Sequence, residues 1–222
     1  MSPAPVAGDA YRPPDVPLAI VHADAQLLVA DKPCGLLSVP GKGPERADCL
    51  AARVQAVFPE ALVVHRLDRD TSGLMVFALT PTAQRHLGLQ FEKRQVTKVY
   101  MARVRGRMVS RSGTVNLPLI VDWPNRPRQM VSHDHGRPAQ TEWQVQSLQD
   151  GATRVRLMPK TGRSHQLRVH MLAIGHPILG DPLYGDDRVA AAADRLQLHA
   201  MTLKLRHPDG GRWMTFRSPP PF

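Results

Sequence analysis

A chain of 222 residues with 42% hydrophobic content can bury a sizeable core, in one compact domain or two closely joined ones. No apolar run approaches the roughly 18 residues that cross a bilayer, the amino-terminal residues carry no cationic start leading into an apolar stretch, and two cysteines (Cys34 and Cys49) cannot staple a scaffold. Membrane-spanning, secreted and disulfide-built classes are set aside, a reduced cytoplasmic setting fits, and the formal charge of +10 points to a polyanion.

That charge is localised. Residues 98–168 hold 13 basic and 4 acidic residues, and 11 of the 13 are arginine. Arginine suits bidentate phosphate contacts, so nucleic acid is favoured over a merely solubilising surface.

In chain order, residues 1–17 carry five prolines and little apolar patterning, and are read as a flexible arm. Gln26 to Ala30 reads as a buried strand stopped by Lys32-Pro33. Ala61 to Leu67 is strand-like, and Gly73 to Leu79 is an apolar strand. Thr80-Pro81 opens a helix, with Thr as N-cap and Pro at the first turn, and Ala83, Leu87 and Phe91 form its apolar stripe. Val96 to Val104 returns to strand. Thr114 to Val121 alternates apolar residues on one face. Thr141 to Leu148 and Thr153 to Met158 read as a pair joined at Asp150-Gly151. A helix is predicted from His165 to Ile174, capped by Ser164 and ended by Gly175. Leu196 to Leu205 and Trp213 to Phe216 are strands joined by a Pro-Asp-Gly-Gly turn. Strands dominate with mixed connections, which predicts an α+β sheet protein and not a doubly wound parallel one.

Between these elements, Trp123 to Arg128 and His133 to Pro138 form a long polar connection with three arginines and a tryptophan. Arginine mixed with an aromatic suits stacking on unpaired bases as well as phosphate contact.

Two clusters could carry chemistry. In His65-Arg66-Leu67-Asp68-Arg69-Asp70, a carboxylate flanked by arginines is held ionised and can act as nucleophile or base. The residues alone do not choose between Asp68 and Asp70, and either could simply cap the turn. In Thr161 to His170, Arg168 could supply a fixed cation to a buried carboxylate or stand on the surface. Neither a zinc-binding histidine pair, a Gly-x-Ser-x-Gly elbow nor a phosphate-loop glycine motif occurs.

His65-Arg66-Leu67-Asp68 followed by Thr71-Ser72-Gly73-Leu74 resembles the catalytic motif of the RluA family of pseudouridine synthases. Lys32-Pro33-Cys34-Gly35-Leu36, Lys98-Val99-Tyr100, Thr161 to His170, and Leu196-Gln197-Leu198-His199-Ala200 resemble four further motifs of that family, in the same order. The resemblance implies a mixed, mainly antiparallel central sheet flanked by helices, with an RNA-binding cleft. It also implies one catalytic domain over residues 18–222, without an S4-like RNA-binding domain. The implied reaction turns uridine into pseudouridine: the N1–C1′ bond breaks, the uracil rotates, and C5 joins C1′. No cofactor or metal is implied, because atoms are conserved.

By resemblance, Asp68 is the catalytic aspartate, Tyr100 stacks on the uracil and is a candidate base for the C5 proton, and Arg168 pairs with the aspartate. Arg66 fills the gap left by the flipped base. Trp123, Asn125, Arg126, Arg128, Arg137, Arg163 and His165 are expected to contact RNA. Asp122 to Pro127 looks most like the family member that acts on both 23S rRNA and tRNA anticodon loops. The expected partners are therefore tRNA and 23S rRNA stem-loops, with no membrane, no obligate protein partner and a monomeric enzyme.

Overall fold

A computed structural model describes residues 11–222. The first ten residues of the predicted arm lie outside the described residues. In the remainder of that segment, the Tyr11 hydroxyl donates to the Asp48 carbonyl at 2.9 Å and accepts from the Leu37 N–H at 3.0 Å. Arg53 donates to the Pro14 and Val16 carbonyls at 2.9 and 3.1 Å.

The first edge of the sheet is β1 (Ala19–Ala23) against β2 (Leu27–Lys32). Helix α1 (Leu50–Gln55) and the short β3 (Leu62–Val63) precede β4 (Ser72–Ala78), every residue of which is buried. Helix α2 (Pro81–Glu92) starts as the sequence predicts, with Thr80 accepting from the Ala83 N–H at 3.1 Å. Next come β5 (Thr97–Arg105), β6 (Ser112–Asn116), β7 (Leu119–Val121) and β8 (Gln129–Val131). The hairpin of β9 (Gln140–Gln149) and β10 (Ala152–Pro159) leads to α3 (Gln166–Ala173) and α4 (Asp187–Ala190). Strands β11 (Leu198–Arg206) and β12 (Trp213–Arg217) complete the order.

Ten strands form one sheet in the order β1-β2-β4-β11-β5-β10-β9-β6, with β3 on β4 and β12 on β11. The β4–β11 contact, Ser72 against His199 and Gly73 against Ala200, is parallel, and the other pairings of this sheet are antiparallel. This is the predicted mixed, mainly antiparallel α+β sheet. Alternation explains why β4 is buried throughout and β2 at every residue but Asp31. Leu27, Val29, Leu74 and Val76 pack with Ala83 and Leu87 of α2, while Leu28, Ala30, Met75 and Phe77 pack with Leu50 and Val54 of α1. Further along, α3 sends Leu167 and Met171 onto Ala102, Val104, Val155 and Leu157 of β5 and β10.

Three expectations are corrected. The strand expected over Ala61 to Leu67 shrinks to Leu62–Val63, and the chain then leaves the ladder as a loop. The strand expected over Thr114 to Val121 is broken at Leu117-Pro118, because Pro offers no N–H and restricts the residue before it. Its first half joins β9 and its second pairs with β8 in a separate two-stranded sheet. Ser164 does not cap α3. His165 precedes the helix with φ 52°, and the buried Gln166 side chain turns back to accept from the Arg163 N–H at 3.0 Å. That bond ties the entry loop to the first helical residue, running in the opposite direction to the bond of a serine cap, which would accept from an N–H of the first turn.

The polar connection expected to be irregular is partly ordered. Trp123–Asn125 forms a 3-10 turn at the tip of the β7–β8 hairpin. Leu119 and Arg137 exchange backbone hydrogen bonds of 3.0 and 2.8 Å, closing its base.

Candidate active site

The loop between β3 and β4 is held from behind. The Ser38 hydroxyl donates to the Leu67 carbonyl at 2.6 Å and accepts from the Leu67 N–H at 3.0 Å. Lys32 is fully buried and gives its ammonium to the carbonyls of Pro33, Leu36 and Arg69 at 2.9, 2.6 and 2.7 Å. The Gly35 N–H also reaches the Arg69 carbonyl, and the Cys34 thiol donates to the Asp70 carbonyl, each at 3.0 Å. Residues 32–38 therefore grip the backbone at 67, 69 and 70, and Asp68 sits between immobilised neighbours. Gly73 lets β4 approach β11: at its φ of +112°, a Cβ would stand 2.6 Å from the Ala200 nitrogen and collide with the Ala200 carbonyl.

Asp68 faces a cavity of about 290 Å³, near the lower end for small-ligand sites. Among the described residues lining it, Asp68 is the sole carboxylate, against Arg66, Lys98, Arg163 and Arg168. Asp70 is absent from that lining, and Arg69 contacts its carboxylate at 2.9 Å. Tyr100 enters from β5, next to β11. Burial, reinforced by the negative charge of Asp68, pushes its phenol pKa above the ordinary value. His65 closes another wall: its Nε2 accepts from the Val76 N–H at 3.1 Å, and its ring stacks on Phe91 at 4.5 Å. Burial, with help from Lys98, pushes this imidazole down to about 3.

Arg168 does not pair with Asp68 as expected. Its Nε and Nη2 donate to the two oxygens of Asp181 at 2.8 and 2.6 Å, with both side chains almost fully buried. Asp181 is prepared for this by a tight turn, its Oδ1 also accepting from the Leu183 and Tyr184 N–H groups at 2.9 and 3.1 Å. The arginine still lines the cavity, and among the described residues its Nη1 makes no hydrogen bond.

The residue nearest to an ion pair with Asp68 is His165, whose Nε2 lies 4.0 Å from Oδ1. Its Nδ1 meets the Tyr184 hydroxyl at 2.7 Å, and that hydroxyl accepts from the Gln129 N–H at 2.8 Å. Burial holds the His165 pKa below its ordinary value against the opposing pull of Asp68.

One cavity thus gathers Arg66, Asp68, Tyr100, Arg163, His165 and Arg168. Trp123, Asn125, Arg126, Arg128 and Arg137 are not in its lining. Trp123 is 63% exposed with the Arg126 guanidinium 4.4 Å from its ring centre, while Asn125 donates to the Asp122 carboxylate at 3.0 Å. Arg128 lies over the Tyr184 ring at 5.2 Å, which links the hairpin to the cavity wall. Sequence reasoning missed Asp181 and Tyr184. The signal present was a lone acidic residue in the turn Gly180-Asp181-Pro182, a composition that favours side-chain to backbone hydrogen bonds.

The family model for RNA pseudouridylate synthases matches residues 26–173. The dual-specificity RNA pseudouridine synthase RluA of Yersinia pestis is 53% identical over 201 residues, covering 90% of this chain and 98% of the relative. The protein of the same name from Escherichia coli K12 is 51% identical over 214 residues, covering 96% and 98%. Among solved structures, human RNA pseudouridylate synthase domain containing 1 superposes with a TM-score of 0.78 at 29% identity, covering 100% of this chain and 87% of that one. The human domain containing 4 protein gives 0.74 at 25% identity, covering 91% and 88%. The span matched by the family model takes in the loop that presents Asp68, the strand that carries Tyr100 and the helix that carries Arg168, and with the overall identity to these relatives it places the chain in the RNA pseudouridylate synthase family.

Proposed function

We propose that this protein isomerises uridine to pseudouridine in structured RNA, taking stem-loops of tRNA and of 23S rRNA as substrates. It acts as a cytoplasmic monomer through a single catalytic domain and needs no obligate protein partner. One observation carries the reading: a single carboxylate, Asp68, stands in a cavity whose other charged walls are cationic.

A uridine must leave its stack before its sugar can be reached, at a cost of about a few kcal/mol. Phosphate contacts along the arginine-rich third of the chain offset that cost. Arg66, exposed beside Asp68, takes the place of the departed base. Trp123 with its stacked Arg126 offers a platform for an unpaired base. Asn125, Arg128, Arg137, Arg163 and His165 complete the RNA contacts.

Within the cavity, Asp68 serves as nucleophile at C1′ or as base for the 2′ proton, and both routes begin from the same anion. Arg168, held by Asp181, is a fixed positive charge facing that anion and the charge that develops on the departing uracil. Tyr100 stacks on the uracil. A phenol is protonated at neutral pH, and the upward shift from burial makes the phenolate scarcer still, which favours the stacking role over that of the C5 base.

The test uses unmodified tRNA and 23S rRNA transcripts with the wild type and Asp68→Asn. The wild type is expected to form pseudouridine. The variant should lose about a thousandfold or more in rate while folding and binding RNA normally. Full turnover by the variant overturns the role given to Asp68.

A further inference from the structure

A second cavity of about 380 Å³ adjoins the first and shares Phe91, Lys98, Thr161, Gly162 and Arg163 with it. Its charged lining is Arg94, Lys98, Lys160 and Arg163 against one carboxylate, Glu92. Lys160 is already neutralised by Glu142 at 2.8 Å. The other three cations have no carboxylate within ion-pair distance among the described residues.

Lys98 is the unusual member. It rises from β5 between the two cavities, and its ammonium makes one long hydrogen bond, 3.5 Å to the Thr161 carbonyl, among the described residues. An ammonium has three protons to place, and a half-buried one with two of them unused is poorly compensated for the water it has lost. Arg163 spends its Nε on the Pro138 carbonyl at 3.2 Å. Burial, then the charges of Arg137 and Arg94, depress the pKa of Arg163, so the arginines stand close enough to repel one another. Repulsion among unpaired cations around a concave surface is relieved by an anion with several acceptor oxygens.

We infer that the cavity of Arg94, Lys98 and Arg163 is a phosphate site that grips a phosphodiester of the substrate RNA flanking the everted uridine. The inference rests on the proposed uridine chemistry for naming what lies next door. Lys98 reaches from the phosphate toward the base cavity, while Arg94 and Arg163 close on the remaining oxygens. Gripping the backbone there holds the sugar of the target nucleotide over Asp68.

The experiment measures binding of an anticodon stem-loop in which one loop phosphate at a time is replaced by a neutral methylphosphonate. Wild type, Lys98→Met and Arg94→Ala are compared, with thermal melting as the check on folding. At one linkage, neutralisation should weaken wild-type binding about tenfold and leave the already weakened Lys98→Met unaffected. Arg94, exposed at the rim, gives the same test if Lys98→Met is unstable. Additive losses at every linkage, or unchanged affinity in both variants, overturn the site. Inorganic phosphate is titrated at constant ionic strength to separate the source. Lys98-dependent binding of phosphate that leaves RNA affinity unchanged assigns the cavity to a free anion and overturns the RNA assignment, whereas displacement of RNA by phosphate from wild type, and not from Lys98→Met, supports it. Because the readout is binding, coupling without turnover defeats only the proposed reaction, and turnover without coupling defeats only the phosphate site.

Discussion

Arg168 and Asp181 form a buried two-pronged ion pair, 2.8 and 2.6 Å across its arms, that aims a cation into the cavity of Asp68 without bonding to it. Fixing the guanidinium from the far side leaves Asp68 free to react, whereas a direct two-pronged bond would occupy both of its oxygens. The pair is fully desolvated, so taking away one partner strands the other. Asp181→Asn is expected to cost about 3–5 kcal/mol of stability in urea unfolding. Replacing both residues together, Arg168→Met with Asp181→Asn, removes both charges and keeps an amide oxygen for the Leu183 and Tyr184 N–H groups, and should be less destabilising than the single change while still abolishing activity. Equal losses in the single and double variants would show that the pair carries no stranded-charge penalty.

The large features of the fold were legible because their causes are local. Thr80-Pro81 announces α2 through capping, Asp150-Gly151 announces the β9–β10 turn, and the apolar run into Ala78 announces a strand covered on both faces. Asp68 and Arg168 were legible from their clusters as candidates, but the choice of Asp68 over Asp70, and Tyr100 altogether, came only from the resemblance. What stayed hidden depends on partners distant in sequence. Asp181 matters because the fold delivers Arg168 to it, and the short α1 and α4 give too few residues for a helical period to show. Edge strand β1 is mostly exposed, so its alternation carries no burial signal.

Ser38 gives a direct test of the clamp behind the catalytic loop. It is buried, and both its bonds go to the backbone of Leu67, the residue before Asp68. Ser38→Ala leaves that carbonyl and N–H without their partner, at an expected cost of about 1–3 kcal/mol in stability. A displaced Asp68 should also slow single-turnover conversion by about a hundredfold with RNA affinity unchanged. A normal rate in a destabilised variant would show that Lys32 and Gly35 position the loop unaided.

His65 predicts the response to acid. Its folded pKa of about 3 lies below the ordinary 6.5, so as pH falls through 6.5 the unfolded chain takes up a proton that the folded chain refuses. The stability associated with the neutral ring is complete above pH 6.5 and is lost progressively toward pH 3. Gln at this position can still accept from the Val76 N–H and does not titrate. His65→Gln should therefore flatten the fall of the urea midpoint across this window, whatever its absolute stability. The depressed pKa values of His170 and His199, both also lowered by burial, leave some slope of the same sign. Identical slopes in wild type and variant would place the His65 pKa near its ordinary value.

Tyr184 connects the β7–β8 hairpin to the catalytic carboxylate. Its hydroxyl accepts from the Gln129 N–H, so its own proton is free for Nδ1 of His165, and the imidazole then presents Nε2–H toward Asp68, 4.0 Å away. The opposite tautomer would turn a lone pair toward the carboxylate. Tyr184→Phe removes both bonds of the hydroxyl and keeps the ring under Arg128 and Arg168. It should cost about 1–2 kcal/mol in stability. Single-turnover conversion should slow about tenfold with RNA affinity within about threefold of wild type, because His165 no longer holds one orientation beside Asp68. Nitrogen-15 spectra should report the same event, with His165 passing from one tautomer to a mixture. A variant that loses RNA affinity at an unchanged conversion rate would confine Tyr184 to anchoring the hairpin.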